Sequence, residues 1–274
     1  MFTAHQLKPR TAVSLAFTGW AHWLRCRGVS HAALITRHAT GFVPVGVRVD
    51  YDEPHDFLDG EAFSVRTDVD TWQPRRFPTC QQVRCDIRVG PRRLAGVLLQ
   101  MICVRIESDA SLAARPGTMP AALAPLLLAP GRAADPPPRY LSRTPPPDDG
   151  ELVHDGHAYP FTIHRGMCEI GDQWYFESVP DLLGAARETL VFAHARATPA
   201  LLPGLSAPLR RVQYGLRRPY GFLDDGTVRT RVRSLGASLR FEHDLLTADG
   251  DLAGHAVETV PVPAAQPPDP PRQG

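Results

Sequence analysis

The segment His164–Ser178 concentrates the residues that could do chemistry. It reads His-Arg-Gly-Met-Cys-Glu-Ile-Gly-Asp-Gln-Trp-Tyr-Phe-Glu-Ser and holds three carboxylates, Glu169, Asp172 and Glu177. A carboxylate can take a proton from water or attack a carbonyl carbon itself. A helix signal follows at once. Ser178 suits the cap, Pro180 and Asp181 the first turn, and Leu182, Leu183, Ala186 and Leu190 an apolar stripe. Backbone N–H groups at a helix start polarise a carbonyl and hold a developing oxyanion. Gly171 allows close backbone approach to a ligand, with N–H groups near Gly171 and Trp174 as the candidate oxyanion donors. Trp174, Tyr175 and Phe176 offer an apolar wall for a substrate. Asp172 is the favoured base or nucleophile because it directly follows the glycine; Glu169 comes next, then Glu177.

Other reactive types are scattered. Tyr51 and Asp52 follow a run of alternating valines, and His22 is the titratable group in the first helix candidate. His154, His157 and His164 lie near Asp155, but their spacing fits no standard zinc motif and they read as surface histidines. Glu188 is a base only if it faces a pocket; its neighbour Arg187 points to an exposed, salt-bridged face. Arg210-Arg211 and Arg217-Arg218 read as surface charge or as phosphate contacts. The chain lacks a Gly-x-Ser-x-Gly elbow, a phosphate-binding Walker loop and a Gly-x-Gly-x-x-Gly fingerprint.

Composition narrows the classes further. Net charge is +1 from 30 basic and 29 acidic residues, which gives no electrostatic support to nucleic-acid binding. An apolar fraction of 43% supports a real core. Lys8 is the only lysine and asparagine is absent, the coding signature of a GC-rich genome. The five cysteines form no Cys-x-x-Cys pair, so neither a disulfide framework nor a structural zinc site is expected. No run has the length of a membrane span, and a reducing, cytoplasmic setting is expected.

The elements that must position these residues come in two copies. Pro54-His55-Asp56-Phe57-Leu58-Asp59 recurs as Pro219-Tyr220-Gly221-Phe222-Leu223-Asp224. Val65-Arg66-Thr67 recurs as Val228-Arg229-Thr230, and Leu94-Ala95-Gly96 as Leu252-Ala253-Gly254. Two modules are therefore predicted, residues 1–106 and 151–262. A proline-rich linker at 107–150 joins them, and a disordered tail follows at 263–274. In each, one helix precedes a block of antiparallel strands. Gly19–Arg27 is the helix in the first module, which sets Phe17–Trp20 against Ile170–Gln173. Val43, Val45, Val47 and Val49 predict a strand with one buried face. Asp59-Gly60 and Asp225-Gly226 are matching turn signals. The apolar stretch Ala121–Ala129 is expected along a module surface.

One helix and a curled antiparallel sheet, twice, with a long crossover, resembles the double hotdog, an α+β fold. The segment around Asp172 resembles that of 4-hydroxybenzoyl-CoA-type hotdog thioesterases, where Asp-x-x-Gly-His-Val-Asn-Asn leads into the helix. This chain has neither the Gly-His pair nor the asparagines, and an ungapped alignment puts the family's Asp near Cys168-Glu169. The choice among Glu169, Asp172 and Glu177 thus stays open. The resemblance implies an acyl-thioester enzyme, foremost a thioesterase acting on acyl-CoA or acyl-carrier-protein intermediates, with polyketide or other specialised biosynthesis as the setting. Trp174, Tyr175, Phe176, Gly171 and His22 would then contact substrate. No metal or cofactor is expected beyond coenzyme A or phosphopantetheine as carrier, and no nucleic acid or membrane partner; the chain would act as a monomer or homodimer. Met167–Trp174 is also similar to double-hotdog acyltransferase/decarboxylases, which would make Tyr51 or Cys168 a nucleophile. Gly41–Gly46, preceded by His38, resembles the Gly/Pro-rich stretch of hotdog dehydratases without its histidine. A non-catalytic carrier-protein or metabolite-binding module is the third class.

Overall fold

A computed structural model describes residues 6–52, 62–73, 78–107, 114–128, 149–169 and 172–262. The first half runs α1 (Pro9–Cys26), α2 (His31–His38), β1 (Thr40–Tyr51), β2 (Ser64–Trp72), β3 (Cys80–Val89) and β4 (Arg92–Ile106). A short β5 (Ala114–Pro116) and α3 (Ala124–Leu127) follow. The second half runs β6 (Glu151–Thr162), α4 (Val179–His194), α5 (Pro203–Ser206), β7 (Arg211–Leu216), β8 (Asp225–Ser234), β9 (Ser238–Thr247) and β10 (Leu252–Pro261).

The strands form one antiparallel sheet in the order β2-β3-β4-β1-β7-β10-β9-β8-β6, with β5 beside β4. The succession β2-β3-β4-β1 is mirrored by β8-β9-β10-β7. The sequence repeats map onto it: the Val-Arg-Thr copies lie in β2 and β8, and the Leu-Ala-Gly copies open β4 and β10. The turn copy at Pro54–Asp59, the Asp59-Gly60 signal and the tail 263–274 lie outside the described residues. The halves join where β1 pairs β7, in the register Val47↔Tyr214, Arg48↔Gln213, Val49↔Val212 and Asp50↔Arg211.

Each helix buries its apolar stripe against one face of this sheet. In α1 the stripe is Ala12, Val13, Ala16, Trp20 and Leu24, at helical spacing. In α4 it is Val179, Leu182, Leu183, Ala186, Leu190 and Val191. A buried polar relay ties each helix down. Trp20 Nε1 donates to Gln81 Oε1 (2.9 Å), and Gln81 Nε2 donates to Thr71 Oγ1 (3.1 Å). In the second half Arg187 pairs with Glu258 at 2.9 Å, and His243 lies 3.4 Å from the same carboxylate and 2.9 Å from Thr230 Oγ1. Burial pushes the Glu258 carboxyl up, but Arg187 and His243 outweigh it and hold the group below its ordinary value. The opposite face of the sheet carries cross-strand charge pairs, among them Arg211–Asp50 and Arg229–Asp244.

The structure corrects several local readings. Helix α1 starts at Pro9, with proline in the first turn, and not near Gly19. Gly19 is an interior helix residue whose missing side chain admits Thr67 of β2: a Cβ there would collide with the Thr67 hydroxyl. The proposed match of Phe17–Trp20 to Ile170–Gln173 fails with it. A β-bulge between Pro44 and Gly46 breaks the valine alternation, leaving Val43 exposed while Val47 and Val49 are buried. Asp225-Gly226 is no turn but the start of β8, where Gly226 leaves room for the Phe161 ring; the chain turns at Gly221–Asp224, with Leu223 left-handed. Arg187 is buried by its Glu258 pairing, not exposed. Part of the 107–150 linker is ordered against the first half, with Met119, Leu123 and Leu127 buried.

Removing one partner of a buried ion pair strands the other charge, at a cost of about 3–5 kcal/mol. Glu258→Leu is therefore expected to lower urea-unfolding stability by about that amount, and the Arg187→Met/Glu258→Leu double variant to recover most of it.

Candidate active site

The site lies where the start of α4 meets α1. Two polar residues four apart on α1, Arg10 and Ser14, face two residues four apart at the α4 start, Glu177 and Asp181. Arg10 Nη1 reaches Asp181 Oδ2 at 2.9 Å, with both side chains about half exposed (45% and 49%), so this pair adds little stability. Ser14 Oγ donates to Glu177 Oε2, and the Tyr175 hydroxyl donates to Glu177 Oε1 at 2.5 Å. Glu177 is thus a buried carboxylate held by two hydroxyls, one from each half of the molecule. Phe17 of α1 packs against Phe176 with ring centres 5.3 Å apart and the rings tilted at 51°.

The preceding segment is a small hairpin. Cys168 bridges Trp174, Glu169 N donates to Gln173 O (3.0 Å), and Tyr175 N donates to Met167 O (2.7 Å). The Pro219–Asp224 turn clamps this hairpin. Trp174 N donates to Tyr220 O and Phe222 N to Asp172 O, both at 2.8 Å. A 3-10 turn at Phe176–Ser178 then enters α4.

Electrostatics single out Glu169 and Tyr175. Glu169 sits at the solvent edge, where crowding by neighbours, and then the charge of Glu177, raise its pKa above the ordinary carboxylate value. Tyr175 is pushed up by burial first, then by its hydrogen bond to Glu177 and the charges of Glu177 and Glu169. Two carboxylates therefore share one local field: Glu177 is buried and hydrogen-bonded, and its charge helps to raise the pKa of Glu169. Such a pair can split base and acid roles. Beside the hairpin, an open cavity of about 700 Å³ is lined by Tyr159, Phe161, Thr162, His164, Met167 and Leu182, among others.

Of the sequence candidates, Glu169, Glu177, Tyr175 and Phe176 come together here. Asp172 does not join them. It is exposed, left-handed at φ 54°, and paired with Arg165, whose guanidinium lies 3.9 Å from the centre of the Phe222 ring. Trp174 is buried between Phe161 and Tyr220, with its Nε1 on Ser178 Oγ. Its backbone N–H is taken by Tyr220 O, so it cannot serve an oxyanion. Ser178 donates to Tyr175 O and does not cap α4. Tyr51 is buried and donates to Leu7 O at 2.7 Å; burial, and then the charge of Glu258, push its pKa well up. His22 lies on the exposed face of α1, mid-helix, 3.4 Å from Cys26 Sγ. Gly171 lies outside the described residues. Sequence reasoning missed Ser14 and Arg10. The signal was weak: Arg10 and Ser14 open a polar row at i, i+4 spacing that continues through Thr18 and His22 and reads as an ordinary solvated helix face.

No family model matches this chain, and no curated protein sequence does. Solved structures do. A protein described as an oleoyl thioesterase from Lactobacillus plantarum superposes with a TM-score of 0.68 at 12% identity, over 94% of this chain and 91% of that one. An acyl-ACP thioesterase from Bacteroides thetaiotaomicron gives 0.60 at 9% identity, over 95% and 91%. The 12:0-ACP thioesterase of Umbellularia californica gives 0.55 at 10%, over 83% and 76%. The fold is a double hotdog. In this double hotdog both central helices lie on the same face of the shared sheet, and only their meeting creates the Ser14–Glu177–Tyr175 cluster. Among the described residues no group of three or more His, Cys, Asp or Glu is arranged to hold a metal ion, and no helix is long and apolar enough to cross a membrane.

Because Glu177 raises the Glu169 pKa through its charge, Glu177→Gln removes that repulsion. Carboxyl-carbon NMR should show Glu169 titrating above the ordinary glutamate value in the parent and at lower pH in the variant.

Proposed function

We propose that this protein hydrolyses acyl thioesters carried on coenzyme A or an acyl carrier protein. The observation that carries the reading is the buried Glu177 carboxylate, held between Ser14 of one hotdog and Tyr175 of the other. Glu177 acts as the general base on water, and the two hydroxyls fix its orientation. Water adds to the thioester carbonyl, the tetrahedral intermediate collapses, and the carbon–sulfur bond breaks. Glu169, whose pKa is raised by crowding and by Glu177, supplies the proton to the departing thiolate. The open cavity beside Met167 and Phe161 receives the acyl or pantetheine part of the substrate. The likeness to solved thioesterases supports the fold on which this chemistry would run. A specialised biosynthetic setting such as polyketide assembly is part of the proposal, supported by the GC-rich coding alone.

The alternative acyl-transfer or decarboxylation reading draws less support. Its nucleophile Tyr51 is a buried phenol with a raised pKa, already donating to a backbone carbonyl.

A panel of acyl-CoA and acyl-pantetheine thioesters tests the assignment. Glu177→Gln should lower kcat by about 10²–10⁴-fold, whereas Asp172→Asn should lose less than about tenfold. Ser14→Ala should reduce kcat far more than it changes KM, as expected for a group that orients the base. Full activity in Glu177→Gln with loss in Asp172→Asn would move the base to Asp172. No turnover of any panel member by the parent would leave the fold as a binding module.

A further inference from the structure

His154 and His157 of β6 stand three residues apart and in a regular strand would point to opposite faces. Two register irregularities against β8, between Leu152 and His154 and between His154 and His157, change this, together with left-handed Gly156 (φ 81°). Both rings end against His194, in the last turn of α4. His157 Nδ1 lies 3.3 Å from His194 Nε2, with the rings at 82°. The His154 ring lies over His194 with centres 4.2 Å apart. His157 Nε2 is buried without a hydrogen-bond partner. A bulge that re-aims two histidines onto a third is a built feature.

Among the described residues, the surroundings leave the cluster little counter-charge. From β8 the register partners are Val232 and Thr230, from α4 the facing group is His194, and the carboxylate that acts on the cluster is Asp155 of β6 itself. One proton added to the trio is tolerated, because an imidazolium still donates to a neutral ring. A second removes the acceptor nitrogen between His157 and His194 and sets two cations in contact. The position matters. β6 runs directly into the hairpin that carries Glu169, and α4 begins directly after Glu177. The histidines join the first half of β6 (fourth and seventh of its 12 residues) to the last turn of α4, away from the site-facing end of each element.

We propose that His154, His157 and His194 form a proton-operated latch that holds the first half of β6 to the last turn of α4, so that acidification loosens the two elements leading into the site. The latch does not depend on the reaction assigned above. Burial first, and then the charge of His194, lower the pKa values of His154 and His157 below their ordinary 6.5. A group whose folded pKa is depressed adds stability above its unfolded pKa. The contribution is lost as pH falls through about 6.5 toward the lowered folded values.

Hydrogen exchange read by mass spectrometry on the full chain tests this. Peptides covering 151–158 and 188–195 should exchange at least about fivefold faster near pH 5.5 than near pH 7.5, after correction for intrinsic rates. In His194→Gln the same peptides should show no such pH response. Equal protection of the parent at both pH values, or an undiminished response in the variant, overturns the latch. Imidazole NMR titration of the parent gives an independent arm if the variant does not fold. His154 and His157 should titrate below 6.5, and midpoints at or above it overturn the proposal.

Discussion

The pairing of β1 with β7 is the constraint on which the molecule depends. Four register pairs, from Val47↔Tyr214 to Asp50↔Arg211, turn two edge strands into the centre of one sheet. An unpaired strand edge exposes backbone donors and acceptors and invites unwanted partners. Here each module satisfies the other's edge. The same pairing puts both central helices on one face, so that α1 and the start of α4 must touch. Without it Ser14 would have no Glu177 to face, and Glu177 would be a buried carboxylate short of one hydroxyl, an arrangement that carries a full desolvation penalty.

The duplicated turn gains its meaning from this architecture. In the second half, Pro219–Asp224 lends its backbone to the hairpin that carries Glu169, Asp172 and Tyr175, through Tyr220 O and the Phe222 N–H. A scaffold motif thereby becomes the clamp on a chemical segment. Asp172 belongs to that clamp: its backbone carbonyl accepts from Phe222, and its side chain pairs with Arg165, which lies over the Phe222 ring. The polar relays under the helices follow a shared plan with different residues. Trp20–Gln81–Thr71 is neutral, whereas Arg187–Glu258–His243–Thr230 carries buried charge and so fixes its helix through an interaction that tolerates no missing partner.

Much of this was legible in the residues. Tripeptide repeats in the same order and strand periodicity pointed to two like modules with helix before sheet. Local misreadings had local causes. Gly19 looked like a helix boundary because glycine usually marks one, yet it serves a close approach by Thr67. Asp225-Gly226 looked like a turn because of its dipeptide, yet the glycine accommodates an aromatic ring from the neighbouring strand.

The sequence by itself determined the candidates: a segment rich in carboxylates before a helix, flanked by aromatic residues, within a duplicated α+β frame. It also determined which parts are scaffold, because periodicity and turn chemistry are properties of neighbours along the chain. Only the tertiary structure decided the surroundings of each carboxylate. Glu177 and Asp172 are both carboxylates of one segment, but one is buried against Ser14, 163 positions away in the chain, and the other is exposed and paired with Arg165 seven positions away. Burial and hydrogen-bond partners depend on which surfaces meet, and that is set by the β1–β7 junction between modules, beyond the reach of any local pattern. The third histidine, His194, escaped the sequence for the same reason: it reaches His154 and His157 only through a bulge in β6 and the packing of α4 across the sheet.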